Sequence, residues 1–393
     1  MISARKQRGA AGFVLLLLLM LALVALLPAS PGRATVRAAH DRVSAQTLAH
    51  AKAALIGDAA LQSPINEAAF LRLPDIGIGV GNAPAEGGAA PNFSGNIKDF
   101  SVIGKFPWRS LILEPQRDGN NECLWYAVSG RFKNTPLTDA LNWDTPGQLT
   151  LLDADGNVLV ERAAALVIVP GVLADNQQRA RADAAYSQCG GNYDARNYLD
   201  PFNPAAATAN YFPDASNGRV AASTTDKTFQ LADGVRYNDA FLAVSSAELF
   251  QLVTHRADFA AQIAALLDEH DYFSAVAISG NKGTDSVNCN NLLNEDNKVF
   301  CKNWKEMLLL VQLPAPTPAL LDGAPTPDNC ARVLLFGGAR AVTQIRNTTA
   351  DKLQPANYLE GDNLTSFVGG DQFGGNATFD ADHPDADLLR CLP

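Results

Sequence analysis

Cys123, Cys189, Cys289, Cys301, Cys330 and Cys391 have the clearest chemistry in this sequence, because a thiol can bridge, bind metal or attack a substrate. No C-x-x-C occurs, so a zinc ribbon or a thioredoxin-type redox pair has no support. An even number of widely spaced cysteines, all following one long apolar run, favours disulfides made in an oxidising compartment. The spacing does not choose among the pairings, and buried free thiols are the alternative reading.

The other reactive residues form no set. His40, His50, His255, His270 and His383 are scattered, without the spacing of a metal site. Gly77, Gly79 and Gly81 alternate but do not make G-x-G-x-x-G, and no Walker loop, G-x-S-x-G or H-E-x-x-H is present. Asp153, Asp155 and Asn157 resemble the start of a calcium loop, yet Gly156 comes fourth where an EF-hand needs it sixth, so a hairpin turn explains them better. The aromatic stretches FPW (106–108), LWYAV (124–128) and NWD (142–144) read as core rather than as a sugar-binding face. The sequence therefore predicts no catalytic residue, no cofactor and no metal. A hydrolase built on paired carboxylates is the enzymatic alternative, since acids are plentiful. Net charge is −10, with no cluster of Lys and Arg beyond the N-terminus, which argues against nucleic acid as a partner.

Several elements would have to position these residues. Arg5, Lys6 and Arg8 precede an uncharged run from Ala10 to Leu27. As a helix that run is about 27 Å long, near the ~30 Å hydrocarbon core of a bilayer. The leading positive charges predict a cytoplasmic N-terminus and a single-pass protein of the inner membrane, with its body in the periplasm or on the cell surface. A cleaved Sec signal is the alternative, and Gly32-Arg33-Ala34 would serve as its site. Pro28, Pro31 and Gly32 break the run. From Arg33, residues Val36, Ala39, Val43, Leu48, Ala51, Leu55 and Ala59 recur at helical spacing and predict an amphipathic helix with one apolar stripe.

Beyond it, the aromatic and β-branched stretch 124–132, the Asp155-Gly156 hairpin at 149–160 and the apolar run 164–171 predict strands. Another strand is predicted from 240, then a capping box Ser245-x-x-Glu248 opening one helix through Leu267. Residues 281–300 read as an Asn-rich loop, and 331–346 as a strand or a pair of strands. The fold class is α+β: a long N-terminal membrane and stalk helix, then a mainly antiparallel β-sheet head with helical and loop insertions. The divisions are a basic leader (1–9), a transmembrane helix (10–27), a stalk helix (34–62), a β-rich head (63–175) and an α/β extension with Cys-containing loops (176–393).

A basic leader, a glycine, a Leu-rich helix, a break and an amphipathic extension resemble the N-terminus of type IV pilins and pseudopilins. That resemblance implies processing by a prepilin peptidase after Gly9 or Gly12, so that the mature chain starts at methylated Ala10 or Phe13. The fifth mature position is then Val14 or Leu17, where most pilins carry Glu. This departure is shared by the K-type minor pseudopilins of type II secretion. Residues 48–60, 104–130, 141–149, 189–200 and 330–346 together resemble large pilin-like proteins of proteobacteria. The resemblance implies a minor pilin or pseudopilin whose partners are other such subunits. It implies no enzymatic activity; the alternative is a secreted or periplasmic enzyme or binding protein behind a Sec signal.

Overall fold

The computed structural model describes residues 33–393 apart from 78–84, 94, 175–176, 180–187, 191, 202–208, 213–217, 222, 234–237, 274–275, 278–286, 368 and 371. In chain order the main elements are α1 (Arg33–Leu61), β1 (Val102–Lys105), β2 (Trp125–Val128), β3 (Leu149–Leu152), β4 (Val158–Ala163), β5 (Ala165–Val169), β6 (Lys227–Gln230), β7 (Ala240–Val244), α2 (Ser246–Thr254), α3 (Ala257–Asp268), β8 (Val276–Ala277), α4 (Glu295–Trp304), β9 (Leu308–Thr317), β10 (Leu320–Leu321), β11 (Ala324–Pro325), β12 (Cys330–Phe336), α5 (Gly361–Phe367), β13 (Gly374–Gly375) and β14 (Leu388–Leu392).

The central sheet runs β1-β2-β5-β7, all antiparallel, so a strand from beyond residue 176 completes it. Its strands are apolar on both sides because both faces are covered. Val102, Tyr126, Val128, Val167 and Val169 face the core that includes the second half of α1 and helices α2 and α3. Ile103, Trp125, Ala127, Leu166 and Ile168 face a second core closed by Leu149, Leu151 and Phe229 of the sheet β4-β3-β6. A third sheet, β14-β12-β9-β8, carries the C-terminal part of the molecule.

The expected hairpin forms: Gly156 takes φ +90°, and Asp153 Oδ1 accepts from the N–H groups of Asp155 and Asn157. That carboxylate is spent on its own turn, as the hairpin reading requires. The capping box at Ser245 and Glu248 also forms. Three expectations are corrected. First, among the described residues no helix is long and apolar enough to cross a membrane. The run 10–27 lies outside the described residues, and α1 carries Arg37, Asp41, Arg42, Lys52 and Asp58 along its length. The α+β, mainly antiparallel character stands; the membrane-spanning part of the fold class and the single-pass inner-membrane placement do not.

Second, the single helix expected after Ser245 is two. It breaks at His255 and Arg256, where Arg256 is extended and its Nη1 donates to Ala60 O and Gln62 O, both at 2.7 Å. Those contacts at the end of α1 satisfy Ala60, one of its last helical carbonyls, and set the break. Third, the Asn-rich stretch is not all loop. Asn294 accepts from the N–H groups of Asp296 and Asn297 and starts α4, whose Phe300, Cys301 and Trp304 are buried.

Candidate functional site

Helix α1 has two unlike halves. Leu48, Ala51, Leu55 and Ala59 are buried against the head, while Val36, Ala39 and Val43, expected on one stripe with them, lie about 130° round the axis and are exposed. The head grips the helix through a polar loop. Ser44 Oγ accepts from Gly119 N–H at 3.0 Å, His40 Nδ1 meets Asn120 Oδ1 at 3.1 Å, and His50 Nδ1 meets Gln116 Oε1 at 3.0 Å. Lower down, Lys52 pairs with Glu248 of α2. Two of the five histidines thus position α1. Gly119 is required there: a Cβ on it would lie 2.5 Å from His40 Cα. Gly119→Val should therefore lift this loop off the helix at a cost of about 1–3 kcal/mol. Hydrogen exchange should accelerate across residues 40–50 and stay unchanged in β12; protection of both segments as in the wild type would contradict the account.

All six cysteines are paired, as Cys123–Cys189, Cys289–Cys301 and Cys330–Cys391. Gly9, Ala10, Gly12 and Phe13, the residues expected at a processing site, lie outside the described residues. Among the described residues no group of His, Cys, Asp and Glu could hold a metal ion.

Two buried charge networks brace the head. In the first, Asp75 accepts from Gly77 N–H at 3.0 Å, Gly87 N–H at 2.7 Å and the Tyr193 hydroxyl at 2.8 Å. Lys105 Nζ donates to the carbonyls of Cys189 at 2.7 Å and Gly190 at 2.8 Å and lies over the Tyr193 ring. Burial raises the Asp75 pKa from 3.8 to about 6, against those hydrogen bonds and Lys105. Burial lowers that of Lys105 from 10.5 to about 8, against Asp75 and Glu86. Folded Asp75 keeps its proton to higher pH than the unfolded chain does. Its contribution is therefore greatest below the unfolded value and is lost as pH rises towards 6. Lys105 behaves oppositely: its contribution is full above 10.5 and is lost as pH falls towards 8. Asp75→Asn should flatten the fall in stability between about pH 4 and 6, by a few kcal/mol across the window. Urea melts check this; an unchanged slope would contradict it.

In the second network, Arg346 is 1% exposed and its Nη1 lies 2.9 Å from Asp144 Oδ2. It also donates to Gly338 O at 3.0 Å, Gln344 Oε1 at 2.8 Å and Asn357 O, and its guanidinium stacks on Tyr358. Burial raises the Asp144 pKa, and Arg346 pulls it back. Sequence reasoning missed Arg346, which lies 202 residues from its partner.

Beside this pair is a cleft of 620 Å³. Trp143, Ala247, Phe250, Ala339, Ala381 and Pro384 make its walls apolar. Trp143 packs edge-on against Trp304 at 4.5 Å, which fixes the indole. Arg340, Glu248 and Asp382 also line the cleft, and His255 Nε2 stands 3.5 Å from Asp382 Oδ1. No family model, curated protein or solved structure matches the chain. Its chemistry must be argued from this geometry. Asp144 is ion-paired with Arg346 and Glu248 with Lys52, so the two carboxylates nearest the apolar wall are held by cations. The arrangement suits the reception of an apolar, charged surface better than acid–base work.

Proposed function

We propose that this protein is a structural subunit of a pilin-like assembly, in which the first half of α1 makes contacts between subunits. One observation carries the reading: α1 buries Leu48, Ala51, Leu55 and Ala59 against the head, and its first half carries a second apolar patch, Val36, Ala39 and Val43, about 130° round the axis, that the head leaves exposed. An exposed apolar patch on a helix whose other face is already packed is one way a helix presents an association surface. The antiparallel sheet behind a long N-terminal helix, and three disulfides stiffening the head, support the same reading. So does the resemblance of the N-terminal sequence to type IV pilins and pseudopilins. The role is structural rather than catalytic, with other subunits and a prepilin peptidase as partners.

The test is the mass of the mature chain made with an active prepilin peptidase. A chain beginning at Ala10 or Phe13 agrees with the reading. One beginning at Thr35, with the same mass whether or not the peptidase is present, overturns it in favour of a secreted protein behind a Sec signal.

A further inference from the structure

Among the described residues two lysines leave their ammonium groups without a partner, and both line the same pocket. Lys52, Lys98, Lys298 and Lys352 pair with carboxylates, Lys105 and Lys133 donate to carbonyls, and Lys227 lies over the Phe229 ring. Lys302 and Lys305 make no ion pair and no side-chain hydrogen bond among the described residues. They stand at the end of α4, three residues apart and so close together on its surface. The pocket measures 350 Å³, and Val287, Asn288, Cys289 and Asn290 line it with them. None of these six is a carboxylate, in a chain whose net charge is −10. Two like charges so placed repel, and an anion between them would turn that repulsion into attraction.

The neutral residues add donors. Asn288 Oδ1 accepts from the Asn290 N–H at 3.2 Å, which leaves the Asn288 amide nitrogen to donate outward. The Asn290 side chain has no partner among the described residues. The short disulfide explains why amides and lysines meet. Cys289 lies between the two asparagines and Cys301 directly precedes Lys302, so the bridge draws the turn Cys289–Asn291 onto the end of α4. Both cysteines are buried, while Asn288, Asn290, Lys302 and Lys305 are exposed.

We propose that this pocket binds a doubly charged oxyanion, a phosphate or sulfate group, with Lys302 and Lys305 supplying the charge and Asn288 and Asn290 the neutral donors. Two ammonium groups match two negative charges, and a tetrahedral oxyanion offers acceptors enough for four donors. A planar carboxylate would call for the fork of an arginine, whereas lysine serves a phosphate as a point charge. The volume is near the lower end of the ~300–1,000 Å³ usual for small-ligand pockets, which leaves room for a small body carrying the oxyanion. A helix end also favours lysines through its dipole, but that effect needs neither the pocket nor the amides. The site shares no residue with α1 or with the cleft beside Trp143, and it does not rest on the assembly reading.

The experiment is isothermal titration of the full-length protein with inorganic phosphate and with glucose 6-phosphate, each against sodium chloride of equal ionic strength. The wild type should bind one equivalent, and chloride should give no such signal. Lys302→Met combined with Lys305→Met should weaken the binding by about tenfold or more and leave the melting temperature unchanged, because both side chains are exposed. Lys298→Met, on the same helix but paired with Glu295, should bind as the wild type does. Tighter binding of the sugar phosphate would support an esterified ligand, and equal binding would support the free ion. A wild type that binds neither probe overturns the proposal and leaves the lysines to the helix end alone. So does a double variant that binds as well as the wild type, or a Lys298→Met loss as large as the double variant's.

Discussion

Arg346→Met should cost the protein about 3–5 kcal/mol of folding stability, one of the two largest losses expected from a change in the head. The guanidinium is almost wholly out of water, at 2.9 Å from Asp144 Oδ2. Methionine fills much of the volume but leaves that carboxylate buried without its cation, and strands the carbonyls of Gly338 and Asn357. Burial already holds the Asp144 pKa up while Arg346 opposes it, so removing the cation drives the carboxyl to bind a proton. The loss should therefore shrink at low pH, where that proton comes without penalty. A double-mutant cycle isolates the pair: Asp144→Asn with Arg346→Met should be less damaged than Arg346→Met alone. Equal denaturant midpoints for the single and double variants would show that the pair is not what holds this side of the cleft.

The second large effect comes from the disulfides. Cys330–Cys391 closes 61 residues, Cys123–Cys189 closes 66, and Cys289–Cys301 closes 12. Loop-closure entropy grows slowly with length, so losing either long bridge should cost about 4 kcal/mol and losing the short one about 3. The long bridges also act at particular places. Cys123–Cys189 ties the chain beside β2 to the loop whose carbonyls Lys105 holds. Cys330–Cys391 fastens β14, the last strand, to the start of β12. Replacing Cys330 and Cys391 together by Ala should free residues 388–392 to exchange amide protons well before the central sheet. Denaturant melts of the three paired Cys→Ala variants check the order; a larger loss at Cys289 and Cys301 than at either long bridge would contradict it.

Where the sequence was legible, the cause was local. The hairpin at Asp153–Asn157 is built by one aspartate on its own turn, and the capping box at Ser245 closes within four residues. The apolar residues of α1 recur at helical spacing, so the helix could be read from them, but not as one stripe: Val36, Ala39 and Val43 sit about 130° round the axis from Leu48, Ala51, Leu55 and Ala59. What was illegible came from distant partners. The break between α2 and α3 is set by Arg256 reaching the carbonyls of Ala60 and Gln62, and nothing near His255 announces it. Helix α4 was hidden because its asparagines read as loop, whereas one of them, Asn294, is its cap. Lys105 and Arg346 look like surface cations in sequence and are core residues, each made tolerable by acceptors from far along the chain. The cysteine pairing could not be derived from spacing. The cleft is assembled from three segments, around 143, 250 and 382, that no local pattern connects.

Sedimentation velocity of the full-length protein across a concentration series, beside a Val36→Asp, Val43→Asp variant, tests the role assigned to α1 most directly. Both valines are exposed, so the variant should fold and melt as the wild type does. The account predicts concentration-dependent oligomers for the wild type and a monomer for the variant. A wild type that remains monomeric throughout, or a variant that associates equally well, would contradict it.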